Sequence, residues 1–349
     1  MGNKYDIILS AERSGDSYQH RKLFEFCAKN SINSLKVDLT SEREPFTEMN
    51  ISALKELKRT FRQITGNELK LFADIPYPGE KIFLYAETGE KEIVMTSENS
   101  YYIVMKKETS RERNEKTFYI SHQDFLKKIE VGEKIKVFGA DQQFKVIEKD
   151  EIGIVIQPDE SLTIHNPSQI YMESYSFYRN LNDDALKKSV EFVAGAGIDV
   201  PLLANMGASY DLYEFNELLS LAVTGGMGIP RLENNDGKYV IEDFFNFNDT
   251  ILIGRKSLRM AVGEYLFAAN YQAILREAKR FRQSVYLELD YDFIKSPVLK
   301  MSDACLLDIY DLKQQDMTGF IFSEQICSDI EQIKVLLDLL ENTEQGKIL

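Results

Sequence analysis

The chain has 349 residues, 44% hydrophobic and 28% charged, a balance too apolar for a disordered chain and too charged for a membrane-embedded one. Its 42 Lys and Arg against 56 Asp and Glu leave a formal charge of −14, a field that repels phosphodiester backbones and anionic lipid, so neither nucleic acid nor membrane is expected as a partner. The three cysteines, Cys27, Cys305 and Cys327, lie far apart and form no metal-ligand interval, and with no export signal or bilayer-length apolar run they read as reduced thiols of a cytoplasmic protein.

Length fits two domains, or one α/β barrel carrying an insertion. Short apolar runs at residues 5–9, 34–38 and 69–74 alternate with amphipathic stretches at 17–30 and 52–65, a βαβ rhythm. The second amphipathic stretch carries Leu54, Leu57, Phe61 and Ile64 on one face and stops at Gly66. Between residues 82 and 164 the rhythm changes to short period-2 strands broken by Gly, Asp and Glu, which reads as an inserted all-β domain. A helix over 183–196 then returns the chain to βα units, with strands at 199–205, 229–233, 250–254, 285–289 and 319–323, and residues 331–340 form an amphipathic terminal helix.

Eight strands with right-handed crossovers predict a (β/α)8 TIM barrel over residues 1–80 and 166–349, with a β-barrel-like lid over 81–165. A doubly wound open sheet is the alternative. Gly225, Gly226 and Gly228 precede a strand and read as a turn rather than a phosphate loop.

In such a barrel the chemistry sits at the C-terminal strand ends. The residues there are Asp38, Thr40, Asp74, Asn205, Arg231, Glu233, Asn234, Arg255, Ser257, Glu288, Asp290, Ser323 and Glu324. Carboxylates and arginines converging on one mouth suit a small anionic ligand held by arginine and bridged by a divalent ion. His20, His122 and His165 are scattered and read as structural or surface groups. The alternating charges of 106–116 read as a solvated hairpin tip, and Tyr171, Tyr175, Phe177 and Tyr178 as packing where the insert ends.

Six stretches in order carry a resemblance. Ser34-Leu35-Lys36-Val37-Asp38-Leu39-Thr40-Ser41 is similar to RLNFSHG, Ala73-Asp74-Ile75-Pro76-Tyr77-Pro78-Gly79-Glu80 to LDTKGPEI, and residues 128–135 to a V-x-x-GD-x-I turn. Pro230-Arg231-Leu232-Glu233-Asn234 is similar to SKIEN, residues 249–258 to DGIMVARGDLG, and Ser302-Asp303 to the start of SDVANAV. Together, from residue 4 to residue 340, they resemble the pyruvate kinase family.

The resemblance implies a ligand such as pyruvate, phosphoenolpyruvate or a related 2-oxo acid, with altered chemistry. Arg231 stands at the family's catalytic lysine, and Arg231, Arg255 and Lys36 form the candidate catalytic set. Asn205, Gly254, Ser257 and Glu288 are the candidate substrate-binding residues. Glu233 maps to one carboxylate of the Mg²⁺ or Mn²⁺ site and Ser257 to the other, with Asp290 as the candidate replacement. Asp38, Thr40, Asp74 and Ile75 map to the K⁺ site. Leu289 replaces the threonine implicated in protonating the enolate. The chain stops after the eighth expected helix, so the family's C-terminal effector domain is not expected in it. A non-catalytic sensor or interaction scaffold, and a true nucleotide-dependent phosphotransferase, are the alternatives; homo-oligomerisation is left open.

Overall fold

The computed structural model describes residues 5–11, 17–40, 45–76, 83–86, 92–105, 117–120, 126–127, 129–137, 143–172, 183–204, 209–233, 242, 244–245, 248–291, 293–294, 300–301, 303–315 and 317–342. The chain divides into two compact units, Met1–Pro78 with Asn180–Leu349, and Gly79–Arg179.

The first unit is built on β1 (Asp6–Ser10), β2 (Ser34–Asp38) and β3 (Lys70–Ile75). After the insert come β13 (Val200–Leu203), β14 (Ile229–Leu232), β15 (Thr250–Gly254), β16 (Ser284–Leu289) and β19 (Gly319–Phe322). These eight strands close in the order β1-β19-β16-β15-β14-β13-β3-β2. Every pairing is parallel, and β1 pairs on both sides, Leu9 opposite Leu35 and Ile7 opposite Phe320. An open sheet would leave β1 or another strand with a free edge, so the closed TIM barrel is the architecture.

Successive strand residues point to opposite faces, and this parity creates two cores. Leu9, Leu35, Val37, Leu71, Ile251, Leu287 and Phe320 pack outward against the helices. Ile8, Phe72, Leu202, Ile229, Leu252, Tyr286 and Ile321 fill the barrel interior. The helix Glu48–Thr65 shows how local sequence serves this packing. It begins earlier than the apolar spacing alone suggests because the Thr47 side chain accepts the Asn50 backbone N–H, and it stops at Gly66 with φ 74°. Its Leu54, Leu57 and Phe61 are buried, each contributing about 1.5–3 kcal/mol of burial free energy. At the N-terminal end of the barrel, Tyr286 donates to Asp6 Oδ2 at 2.8 Å and Asp199 accepts both the Leu71 N–H at 2.7 Å and Lys58 Nζ at 2.8 Å. These bonds tie strand starts together, a stabilising role at the face opposite the chemistry.

The second unit contains β4 (Phe83–Tyr85), β5 (Glu92–Met95), β6 (Tyr101–Met105), β7 (Thr117–Ile120), β8 (Lys134–Val137), β9 (Gln143–Lys149), β10 (Gly153–Pro158), β11 (Leu162–His165) and β12 (Ser168–Met172). Seven of them form a second closed barrel, β10-β6-β7-β4-β12-β8-β9, and β5 pairs with β11. Alternation places Leu84, Ile103, Phe118, Ile135, Phe144, Ile154 and Ile156 in its core. The unit extends past residue 165 because β12 pairs antiparallel with β4 and β8. The hairpin run 106–116, His122, Tyr175, Phe177 and Tyr178 lie outside the described residues. Among the described residues no helix is long and apolar enough to cross a membrane.

Candidate functional site

Two residues beyond the apolar interior layer, the same strand faces turn polar. Ser10, Asp74, Arg231, Gly254 and Glu288 occupy these next inward positions at the C-terminal strand ends, where barrel chemistry resides. Lys36 lies opposite Phe72 in the strand register and therefore also points inward. From there its ammonium reaches Asp74 Oδ2 at 2.8 Å and Glu288 Oε1 at 2.6 Å.

Arg231 completes the cluster. Its Nη1 donates to Asp74 Oδ2 at 3.0 Å and its Nη2 to Glu288 Oε2 at 2.5 Å, while Nε lies 3.1 Å from Glu233 Oε2. Two cations thus sit among three carboxylates, all with side chains 14% exposed or less. Burial disfavours the charged form of Lys36, but Asp74 and Glu288 overcome it and hold the ammonium above its ordinary range. Arg231 is likewise opposed by burial and held well above its ordinary value by Asp74, Glu233 and Glu288. For Glu288, burial acts upward, yet Arg231 and Lys36 dominate and bring its carboxyl down from 4.5 to about 2. Both cations therefore remain charged at any physiological pH and act as fixed positive charge rather than as acids.

Gly254 is part of this geometry because a Cβ there would lie 2.9 Å from Arg231 Nε and 3.3 Å from Nη2. Asp74 Oδ1, Ser10 Oγ and Ser323 Oγ are buried with no hydrogen-bond partner among the described residues. Buried polar atoms of this kind are normally satisfied, and each of these three lies at the C-terminal end of its strand, where water or a ligand can complete it. The apolar run 5–9 stops one residue short of Ser10, which closes the strand and is therefore missing from the strand-end candidates; a serine closing an apolar strand is the signal that finds it.

The structure gathers Lys36, Asp74, Arg231, Glu233, Gly254 and Glu288, with Asp38 near enough to act on Lys36, Asp74 and Arg231 and Asp290 near enough to feel Glu288. Asp38 is half-buried at the end of β2 and its Oδ1 accepts the Thr40 backbone N–H at 2.6 Å. Asp290 follows β16, its carboxyl raised by burial and by Glu288 against the pull of Arg255, Arg259 and Lys256. Ser257 is buried in the first turn of the helix Arg255–Val262. Asn205 and Asn234 lie outside the described residues. Arg255 does not join the inward layer. Gly254 takes the last inward position of β15, and Arg255, one residue on, forks onto Asp308 with bonds of 2.6 and 2.9 Å. Its guanidinium also lies within 6.0 Å of the ring centres of Phe267, Tyr271 and Tyr291. Tyr291 donates to Asp308, closing the set. None of these partners was legible as a site in the sequence. His20 stacks on Phe24, and His165 lies beside Glu92.

The donor set does not fit the ions that the resemblance implies. Among the described residues no three His, Cys, Asp or Glu are grouped to hold a metal. The carboxylates of the cluster, Asp74, Glu233 and Glu288, already face Lys36 or Arg231. A divalent ion about 4 Å from one fixed positive charge is disfavoured by about 8 kcal/mol at an effective dielectric of about 20. The same ammonium and guanidinium on Asp74 oppose K⁺, and Asp38 Oδ1 is engaged by Thr40. No protein-family model matches the chain, and no curated protein matches its sequence.

Proposed function

We propose that this chain is a pyruvate kinase-like barrel that binds a small anionic carboxylate, such as pyruvate, phosphoenolpyruvate or a related 2-oxo acid, at its mouth. One observation carries the reading: Lys36 and Arg231 are held as permanent cations in the barrel interior, at the C-terminal strand ends and directly above an apolar layer. A buried ionic cluster is a poor way to stabilise a barrel, since well-packed apolar side chains of similar volume do as well or better. Its position at the face that carries chemistry therefore favours a functional role.

The donor inventory supports a carboxylate ligand. An ammonium has three N–H bonds and a guanidinium five; Lys36 commits two to Asp74 and Glu288, and Arg231 commits two to the same carboxylates with its Nε facing Glu233. The one remaining on Lys36 and the two on Arg231, with Ser10 opposite Lys36 in the strand register, can take up an oxyanion. Because neither cation gives up its proton near neutrality, their contribution to catalysis is stabilisation of negative charge, including that of an enolate oxygen. Leu289 offers no proton where the family places a threonine, so turnover differs from that of the family. Calorimetric titration with oxalate, pyruvate and phosphoenolpyruvate tests the reading. We expect Arg231→Ala or Lys36→Ala to weaken binding at least tenfold; unchanged affinity in both variants sinks it.

A sensor or scaffold without turnover is the second reading. It is favoured by the internal pairing of the cluster, in which each cation already has carboxylate partners. Ligand binding without any conversion of the bound 2-oxo acid would select it.

A further inference from the structure

We propose that Arg231 and Lys36 are built-in replacements for metal ions, so that the barrel mouth binds its anionic ligand without a divalent or monovalent cation. The ligand class rests on the carboxylate-binding reading above; the metal independence does not. Three carboxylates from three different strand ends, Asp74, Glu233 and Glu288, surround a single guanidinium, with approaches of 3.0, 3.1 and 2.5 Å to three of its nitrogens. A divalent ion likewise sits as a positive centre among hard oxygen donors, but with Arg231 in place no three acidic, His or Cys groups among the described residues form a metal site. Here the positive centre is covalently part of the chain.

Lys36 adds the second positive charge. Its ammonium bridges Asp74 Oδ2 and Glu288 Oε1, so each oxygen of Glu288 meets a different cation and Asp74 Oδ2 meets both. Asp38 acts on both cations as well, so the cluster carries more negative than positive charge, and what opposes an added ion is that Asp74 Oδ2 and both Glu288 oxygens already meet a fixed cation. Space leads to the same conclusion. The three atoms nearest to a Cβ at Gly254 all belong to the Arg231 guanidinium, which therefore fills the volume that the missing side chain opens. Removing the Arg231 side chain would open that space, but Lys36 would still hold Asp74 Oδ2 and Glu288 Oε1, so freeing the carboxylates for a metal requires removing both cations.

The test is Mn²⁺ binding to the full chain, followed by electron paramagnetic resonance and by calorimetry, with Mn²⁺ alone as the probe. The wild-type protein is expected to show no site tighter than millimolar. Arg231→Ala/Lys36→Ala is expected to gain one site per chain at least 100-fold tighter, and the same variant with Glu233→Gln to lose it again. Wild-type binding of one Mn²⁺ at micromolar affinity, abolished by Glu233→Gln, would overturn the proposal, and this arm needs no destabilised variant. A folded Arg231→Ala/Lys36→Ala protein that gains no Mn²⁺ also overturns it, because the two cations would then not be standing in an ion's place. If no 2-oxo acid binds while the Mn²⁺ pattern holds, the ligand reading fails and metal replacement stands.

Discussion

Gly254 and Arg231 are a matched pair across β14 and β15: the absence of a side chain at one makes room for the guanidinium of the other. A Cβ at 254 would lie 2.9 Å from Arg231 Nε, with Nη2 and Cζ as the next atoms met at 3.3 and 3.5 Å. Gly254→Ala is therefore expected to displace Arg231 from its carboxylates and to cost about 1–3 kcal/mol, the usual penalty of overpacking. In an Arg231→Ala background the same change meets none of those atoms, so its cost should fall close to zero. Urea denaturation of the four proteins measures this coupling. Equal costs in both backgrounds would show that the glycine serves the backbone of β15 rather than the arginine.

Acid stability reports on Glu288. Burial alone would raise its carboxyl, but Arg231 and Lys36 bring it from 4.5 in the unfolded chain to about 2 in the folded one. The unfolded chain then binds more protons across that interval, so stability rises with pH through it. The contribution of Glu288, roughly 3 kcal/mol, is complete above pH 4.5 and is lost as pH falls towards 2. Glu288→Gln should flatten this part of the stability profile, measured as ΔG of unfolding between pH 2 and pH 6. An unchanged slope in the variant would place the acid sensitivity elsewhere.

The βα rhythm was legible because each strand is a compact apolar run with buried faces on both sides, such as Thr250–Gly254 and Gly319–Phe322. Barrel closure was legible only as a count of strands, since the pairing of Ile7 with Phe320 joins chain ends that share no local signal. The same limit applies to the site. Asp74 and Arg231 stand out at strand ends and Lys36 only through the resemblance, and the bond from Lys36 to Glu288 spans 252 positions and depends on the register around the whole barrel. Arg255 shows the cost of reading strand ends without parity. It was expected at the mouth, but it follows the inward Gly254 and so turns to the helices, where Asp308 and three aromatic rings receive it. β12 was read as lying beyond the insert because its pairing with β4 lies 80 and more residues away in sequence.

The Arg255 arrangement makes a separate prediction. Its fork onto Asp308 uses both terminal nitrogens, a geometry an ammonium cannot reproduce. Arg255→Lys is expected to lower stability by about 1–3 kcal/mol, and Asp308→Asn by a similar amount, since either change leaves a charged partner short of bonds in a largely buried setting. The double variant should lose less than the sum. Thermal unfolding of the three variants checks this, and strictly additive losses would mean that the two groups do not act as a unit.

The inserted barrel is expected to be a folding unit of its own. Its first and last strands, β4 and β12, lie side by side, with Leu84 opposite Ser168 and Phe83 opposite Gln169. The chain thus enters and leaves this unit at neighbouring points. Its core is separate, with Leu84, Ile103, Phe118, Phe144 and Ile154 packing in a cluster that includes no residue of the larger barrel. Closure of the seven strands removes open edges, the feature that most often drives an excised sheet to aggregate. A fragment spanning residues 79–179 should therefore show a β-type circular dichroism spectrum, dispersed amide resonances and a cooperative thermal transition. The complementary chain, residues 1–78 joined to 180–349 by a short flexible linker, should keep the barrel fold because both barrel cores lie outside the deleted segment. A fragment that is soluble but lacks a cooperative transition would show that the small barrel draws its stability from the larger unit.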